Sequence, residues 1–195
     1  MTSPRLSQQG FANLHRKLIF RLLAIILTAY LFYAPNLWPL DGSAVLCAQV
    51  AGMLLIFAGI IGRILATLSI GGLKDQVIVK TELYSVCRNP LYFASFLMAV
   101  GLGLLSGRSD FTVLLIAAFL AIFYPMMRNE ARYLRARFED FAAYEKAVPL
   151  FIPNFWLWQE RGTYPINFRL VKRTLLDASL ILIAIPVMIL LRWIS

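Results

Sequence analysis

One histidine, His15, and two cysteines, Cys47 and Cys87, are all that 195 residues offer of the softer metal ligands. No Cys-x-x-Cys pair is present, so the spacing that a Cys/His zinc site needs is missing, and no metal site is expected. The two cysteines fall in segments expected at different depths, which argues against a disulfide. Charge is also thin, at 15% of residues, against about 25% in average soluble domains. That deficit points to lipid as the solvent. A water-soluble fold would have to bury nearly every helix on all sides, which a chain this small cannot do. Two further absences matter. Met1 to Lys17 is polar and contains Pro4 and Gly10, and no small-residue cleavage site closes the apolar run that follows, so that run is read as a retained helix. No Gly-rich phosphate loop and no internal repeat are visible.

What the chain does have is five apolar stretches: Leu18 to Ala34, Ser43 to Ile70, Pro90 to Leu105, Phe111 to Met127 and Leu175 to Leu191. A membrane span needs roughly 20 apolar residues, with about 17 tolerated. The expectation is an all-α integral membrane protein with five transmembrane helices. Only Ser106 to Asp110 separates the third stretch from the fourth, so these form an antiparallel hairpin. Ala99, Gly101 and Gly103 offer small surfaces for close helix packing.

The 19 basic residues outnumber the 10 acidic ones, for a net charge of +9. They flank the apolar spans, which points to topology and anionic headgroups rather than nucleic acid. All but Arg108 and Arg192 fall on one side of the five-span arrangement. By the positive-inside rule the N-terminus is cytoplasmic and the C-terminus outside. Trp38 and Trp193 stand where interfacial anchors belong.

The domain plan follows. Residues 1–69 carry two spans. Residues 70–153 form a core with the hairpin and a cytoplasmic helix over Tyr124 to Val148, kinked near Pro125. Residues 154–195 hold the last span and the end of a Pro- and aromatic-rich segment, Pro149 to Tyr164, expected along the interface. Two strings in the core stand out. Arg88-Asn89-Pro90 opens the third span; taken alone, Asn89 as N-cap and Pro90 in the first turn make an ordinary helix start. Glu130 lies about one turn past Pro125. In water it would belong to a solvated helix with weak ion pairs, but a carboxylate close to a bilayer needs a cationic partner.

In order along the chain, Val79-Lys80-Thr81-Glu82-Leu83-Tyr84, Arg88-Asn89-Pro90-Leu91-Tyr92, Glu130-Ala131-x-x-Leu134, and Phe138, Phe141, Tyr144, Val148-Pro149 with Ile152-Pro153 resemble the motifs of the isoprenylcysteine carboxyl methyltransferase family and its phospholipid methyltransferase relatives. The resemblance covers roughly residues 70 to 153. It implies an S-adenosylmethionine-dependent methyltransferase with a cytoplasmic cofactor-binding cap, working at a bacterial-type inner membrane. Gln76, Val77, Ile78, Val79, Tyr84, Arg88, Asn89, Pro90, Tyr92 and Glu130 would bind the cofactor, with Arg128 and Glu130 as the catalytic candidates. The acceptor would be a lipophilic or lipidated molecule entering from the bilayer. Carboxyl O-methylation of an isoprenylcysteine-like substrate is favoured over N-methylation of a phospholipid. A membrane reductase using NADPH and a non-enzymatic transporter or helper subunit are the rival readings.

The chain departs from the family pattern in several places. Asn89 replaces the usual histidine, Ala131 the second glutamate, Glu139 the glycine after Phe138, and Glu82 the glycine before Tyr84. The spacing from phenylalanine to tyrosine is one residue short. The family's arginine one turn before the acid falls at Met126, leaving Arg128 as the nearest candidate.

Overall fold

The computed structural model describes residues 22, 25–31, 33–37, 40–70, 77–162 and 168–177. Every regular element among them is a helix. The chain divides into two compact units, Met1–Leu37 and Trp38–Ser195. In the first, helix α1 is described over 25–31, inside the expected first span. The second holds α2 (Ser43–Ile70), the single turn α3 (Leu83–Val86), α4 (Pro90–Leu105), α5 (Ser109–Arg137), α6 (Phe141–Ala147), a 3-10 turn (Phe155–Leu157), and α7 over 168–177.

Helices α2 and α5 are long and apolar enough to cross a membrane, and α4 is a shorter apolar helix. The bounds of α2 and α4 coincide with the second and third apolar stretches. The reason is chemical: Gly42 has φ +55° just before α2, and Pro90 supplies a preset φ at the start of α4. The hairpin turn forms at Ser106–Gly107, where Gly107 has φ +70°. Beside it Arg108 pairs with the buried Asp110 at 2.7 Å, in the first turn of α5, where a carboxylate suits the helix dipole.

Helices α2 and α4 touch almost backbone to backbone. A β-carbon on Gly101 would stand 2.6 Å from the Gly52 carbonyl oxygen, and one on Gly59 would stand 2.6 Å from that of Ala94. Gly103 faces Thr112 of α5 instead. The buried small partner on α4 is Ala94 rather than Ala99, which is only half-buried.

Three expectations need revision. The helix expected over Tyr124 to Val148 is two helices. Helix α5 runs on through Pro125 and ends at Arg137; Phe138 turns extended, and α6 folds back. The gain is a small core in which Phe141, Tyr144 and Val148 close over Ala131. The last helix already includes 168–174, upstream of the predicted start at Leu175, so Arg169, Lys172 and Arg173 are helical. Asn89 holds the N-cap position without capping. Its side-chain amide instead donates to the Leu150 carbonyl at 2.9 Å. Gln76, Trp38, Trp193, the Gly71-Gly72 pair, the start of the first expected span and most of the fifth lie outside the described residues.

Candidate functional site

Three helices each turn one face, apolar and polar side chains together, toward a shared cavity at helical spacing. On α5 these are Met127, Glu130, Ala131 and Leu134; on α2, Arg63, Ala66, Thr67 and Ile70; on α7, Leu170, Arg173, Thr174 and Asp177. Positions i, i+3, i+4 and i+7 lie on one face of an α-helix. Together with Val77 to Val79, Tyr84, Arg88, Asn89, Leu91, Tyr92, Phe141 and Tyr144 they enclose a cavity of about 730 Å³. Small-molecule sites occupy roughly 300–1,000 Å³.

The wall around Arg88 is rigidly built. Its amide donates to the Pro149 carbonyl at 2.9 Å, and its guanidinium donates to Glu145 at 2.8 Å. These side chains are only 12% and 22% exposed. Arg135 holds the other Glu145 oxygen through Nε at 3.0 Å and through Nη2. The Arg135 hydrogen bonds first, then Arg88, hold the Glu145 carboxyl below the usual carboxylate range. Glu145 thereby positions Arg88, whose buried Nε has no hydrogen-bond partner. Such an orphaned donor is costly unless an acceptor arrives.

On α5, Glu130 accepts a long hydrogen bond of 3.4 Å from the Tyr92 hydroxyl. The Tyr92 ring rests against Phe123, with centroids 5.4 Å apart. Tyr84 is held through its backbone: its carbonyl accepts from the Tyr144 hydroxyl at 2.7 Å. Burial, then the neighbouring Glu130 charge, pushes the Tyr84 phenol up, so it stays neutral. Cys87 is fully buried, and burial lifts its thiol to about 11. It donates to the Phe151 carbonyl at 3.0 Å and is no nucleophile at neutral pH.

A tight turn presents Tyr84. The Tyr84 amide donates to the Thr81 carbonyl at 3.1 Å, and Glu82 between them has φ 55° and ψ −135°. That conformation suits glycine, the residue the family pattern has there. Glu82 is held in it by ties to one segment: its amide donates to the Gln159 carbonyl at 2.7 Å, and its carboxylate accepts from the Arg161 amide at 2.9 Å.

The structure thus gathers Val77, Ile78, Val79, Tyr84, Arg88, Asn89, Tyr92 and Glu130 on one cavity. Pro90 is buried at the start of α4 and does not line it. Arg128 is exposed and does not line it either, because it lies on a different face of α5 from Met127 and Glu130. Sequence reasoning missed Glu145 as the partner of Arg88, and missed the α2 and α7 walls. Arg63 carried a signal, as the one charge in an apolar span.

A family model described as phospholipid methyltransferase matches residues 47–140. The chain is 30% identical over 170 residues to the cobalt-zinc-cadmium resistance protein CzcN of Cupriavidus metallidurans, covering 87% of this chain and 78% of the relative. It is 29% identical over 170 residues to the nickel-cobalt-cadmium resistance protein NccN of Alcaligenes xylosoxydans xylosoxydans, covering 87% and 79%. No solved structure matches.

Proposed function

The chain belongs to the phospholipid methyltransferase family, and from that premise we propose that it is an integral membrane methyltransferase using S-adenosylmethionine on a lipophilic acceptor. The observation that carries the reading is that Arg88 and Glu130, brought from different elements, face one cavity of fitting volume. The orphaned Arg88 Nε supports the fit, since a carboxylate is the acceptor it lacks. When bound, S-adenosylmethionine supplies an electrophilic methyl group on a sulfonium.

The chain's own residues bind and align. Arg88, positioned by Glu145, takes the amino-acid carboxylate. Glu130 pairs with the ammonium. The faces of Tyr84 and Tyr92 suit a cation or an adenine ring. Val77, Ile78 and Val79 exclude water on one side. In-line transfer then depends on holding donor and acceptor in register. The accompanying topology is five spans with the N-terminus and this cavity at the cytoplasmic face, in an inner membrane. Favoured chemistry is carboxyl O-methylation, with phospholipid N-methylation as the alternative.

The relatives' names concern metal resistance. For this chain, metal resistance is the setting proposed from those names; the methyltransferase reading rests on the family and the cavity. Among the described residues no three His, Cys, Asp or Glu side chains converge as a metal site.

Calorimetry in detergent tests the reading. Wild type binds S-adenosylmethionine and S-adenosylhomocysteine on the micromolar scale, and Glu130→Ala weakens both about tenfold or more, the loss of a charge-assisted contact. Binding of NADPH instead, or of none of the three, overturns it.

A further inference from the structure

The break at Phe138 makes a contact that one continuous helix could not. Arg135 is in the last turn of α5, and Glu145 is on α6, ten residues later. In a single helix the two would stand roughly 15 Å apart along the axis. Because α6 folds back, Arg135 instead grips one oxygen of Glu145, through Nε at 3.0 Å and through Nη2. The other Glu145 oxygen accepts from Nη1 of Arg88 at 2.8 Å. Arg135 does not line the cavity, and its side chain is 58% exposed. An ion pair so open to water adds little to stability, so what it does is a matter of geometry.

A carboxylate and a guanidinium left to themselves favour a fork of two parallel hydrogen bonds, two nitrogens on two oxygens. Arg88 and Glu145 do not form one. They share a single bond, and Nε of Arg88 is buried without a hydrogen-bond partner. An unpaired buried donor is costly, and a neighbouring carboxylate with an idle oxygen would turn to satisfy it. Arg135 removes that freedom, because its two donors occupy the second oxygen. Of the two guanidiniums it also does more to keep the carboxyl ionised. Glu145 is thereby fixed as a one-point anchor on Nη1, and the edge of Arg88 formed by Nε and Nη2 is left unused by it.

We infer that Arg135 is a positioning residue for Arg88: by holding Glu145 to a single contact, it reserves the Nε and Nη2 edge of Arg88 for an anionic group bound in the cavity. The methyltransferase reading enters only in what that group is, the carboxylate at the amino-acid end of the cofactor. Without Arg135, Glu145 moves onto that edge, exchanges one bond to Arg88 for two, and blocks the site from within. The loss is then confined to ligands that carry the carboxylate.

Two measurements on the full chain in detergent test this, one with ligand and one without. Calorimetry compares S-adenosylhomocysteine with methylthioadenosine, which lacks the amino-acid end. Arg135→Gln is expected to weaken S-adenosylhomocysteine about tenfold and to leave methylthioadenosine unchanged. Arg135→Lys recovers part of the loss, and Arg135→Gln adds nothing in a Glu145→Gln background. Heteronuclear NMR of protein carrying isotopically labelled arginine, with the Arg88 Nε–H signal assigned through Arg88→Lys, reads the protein without ligand. Arg135→Gln is expected to move that proton downfield as it meets the carboxylate, and Glu145→Gln to abolish the move. The assignment is overturned if the signal stays in place in Arg135→Gln, or if the loss of S-adenosylhomocysteine persists in the Glu145→Gln background. It is also overturned if Arg135→Gln weakens both ligands alike, since the corner between α5 and α6 has then simply loosened. A wild type that binds neither ligand, with the Nε–H shift present in Arg135→Gln, refutes the methyltransferase reading and leaves Arg135 as the residue that positions Arg88.

Discussion

Glu82 shows how a single residue is held in an unfavourable backbone. At φ 55° a β-carbon is crowded, and what keeps the turn is the pair of ties to Gln159 and Arg161. Glu82→Ala loses the carboxylate tie and keeps the crowding; Glu82→Gly loses the tie and relieves the crowding. The glycine variant is therefore expected to be more stable than the alanine variant by about 1 kcal/mol, read as a higher midpoint in thermal melts. Glu145 makes a pH prediction. Its pKa is lower folded than unfolded, so its contribution to stability is complete above the unfolded carboxylate pKa. It is lost as pH falls through the folded value. Wild type should then lose more thermal stability than Glu145→Gln between neutral pH and strongly acid solution, with the two curves converging at the acid end. At neutral pH Glu145→Gln also loosens Arg88 and weakens S-adenosylhomocysteine binding.

At the scale of elements, two contacts shape the cavity. The first is the glycine seam between α2 and α4, which brings Arg63 to Ser95. A side chain at Gly52 or Gly101 meets the backbone carbonyl of the other glycine at 2.6 Å, which cannot swing aside as a side chain could. Gly101→Val should lower the thermal midpoint sharply, whereas Gly162→Val, in open space, should leave it unmoved. The second is the segment after α6. Phe151 lodges against Phe93 and Phe96 of α4 and Phe119 of α5, so the chain there runs level with the first turns of α4. From that height Trp156 stands 96% exposed, beside Phe155 and Ile152, as an interfacial anchor does. In nanodiscs, with the other tryptophans changed to phenylalanine, brominated lipid should quench Trp156 fluorescence strongly. Unquenched emission would place the segment in water.

For the whole molecule, the distribution of basic charge predicts an orientation that can be read directly. In a Cys47→Ser background, Asp41→Cys before α2 and Gly162→Cys after the aromatic segment are both exposed. A membrane-impermeant maleimide added to intact cells should label position 41 and spare position 162, with the reverse in inverted membrane vesicles. The reverse result in both would overturn the cytoplasmic placement of the cavity.

Residue by residue, the sequence reading reached the elements more fully than the site. Apolar runs ended by Gly42, Pro90 and Gly107 mark helix bounds because those ends are local chemistry: a positive φ, a preset φ, a tight turn. Helix character could be read from neighbouring residues for the same reason, whereas the strings around Tyr84, Arg88 and Glu130 are marked out only by the family resemblance; taken alone, they read as an ordinary helix start and a solvated helix. What only the tertiary structure decided are relations between residues far apart in the chain: Glu145 on Arg88, Leu150 on Asn89, Thr174 on Thr67, and Arg63 opening into the cavity beside α7. The break at Phe138 belongs with these, since α6 turns back to bury Phe141 and Tyr144 over Ala131. Periodicity reports which face of a helix is apolar. It carries no information on which other helix that face will meet, because that is set by packing and by the pairing of charges that cannot remain alone away from water.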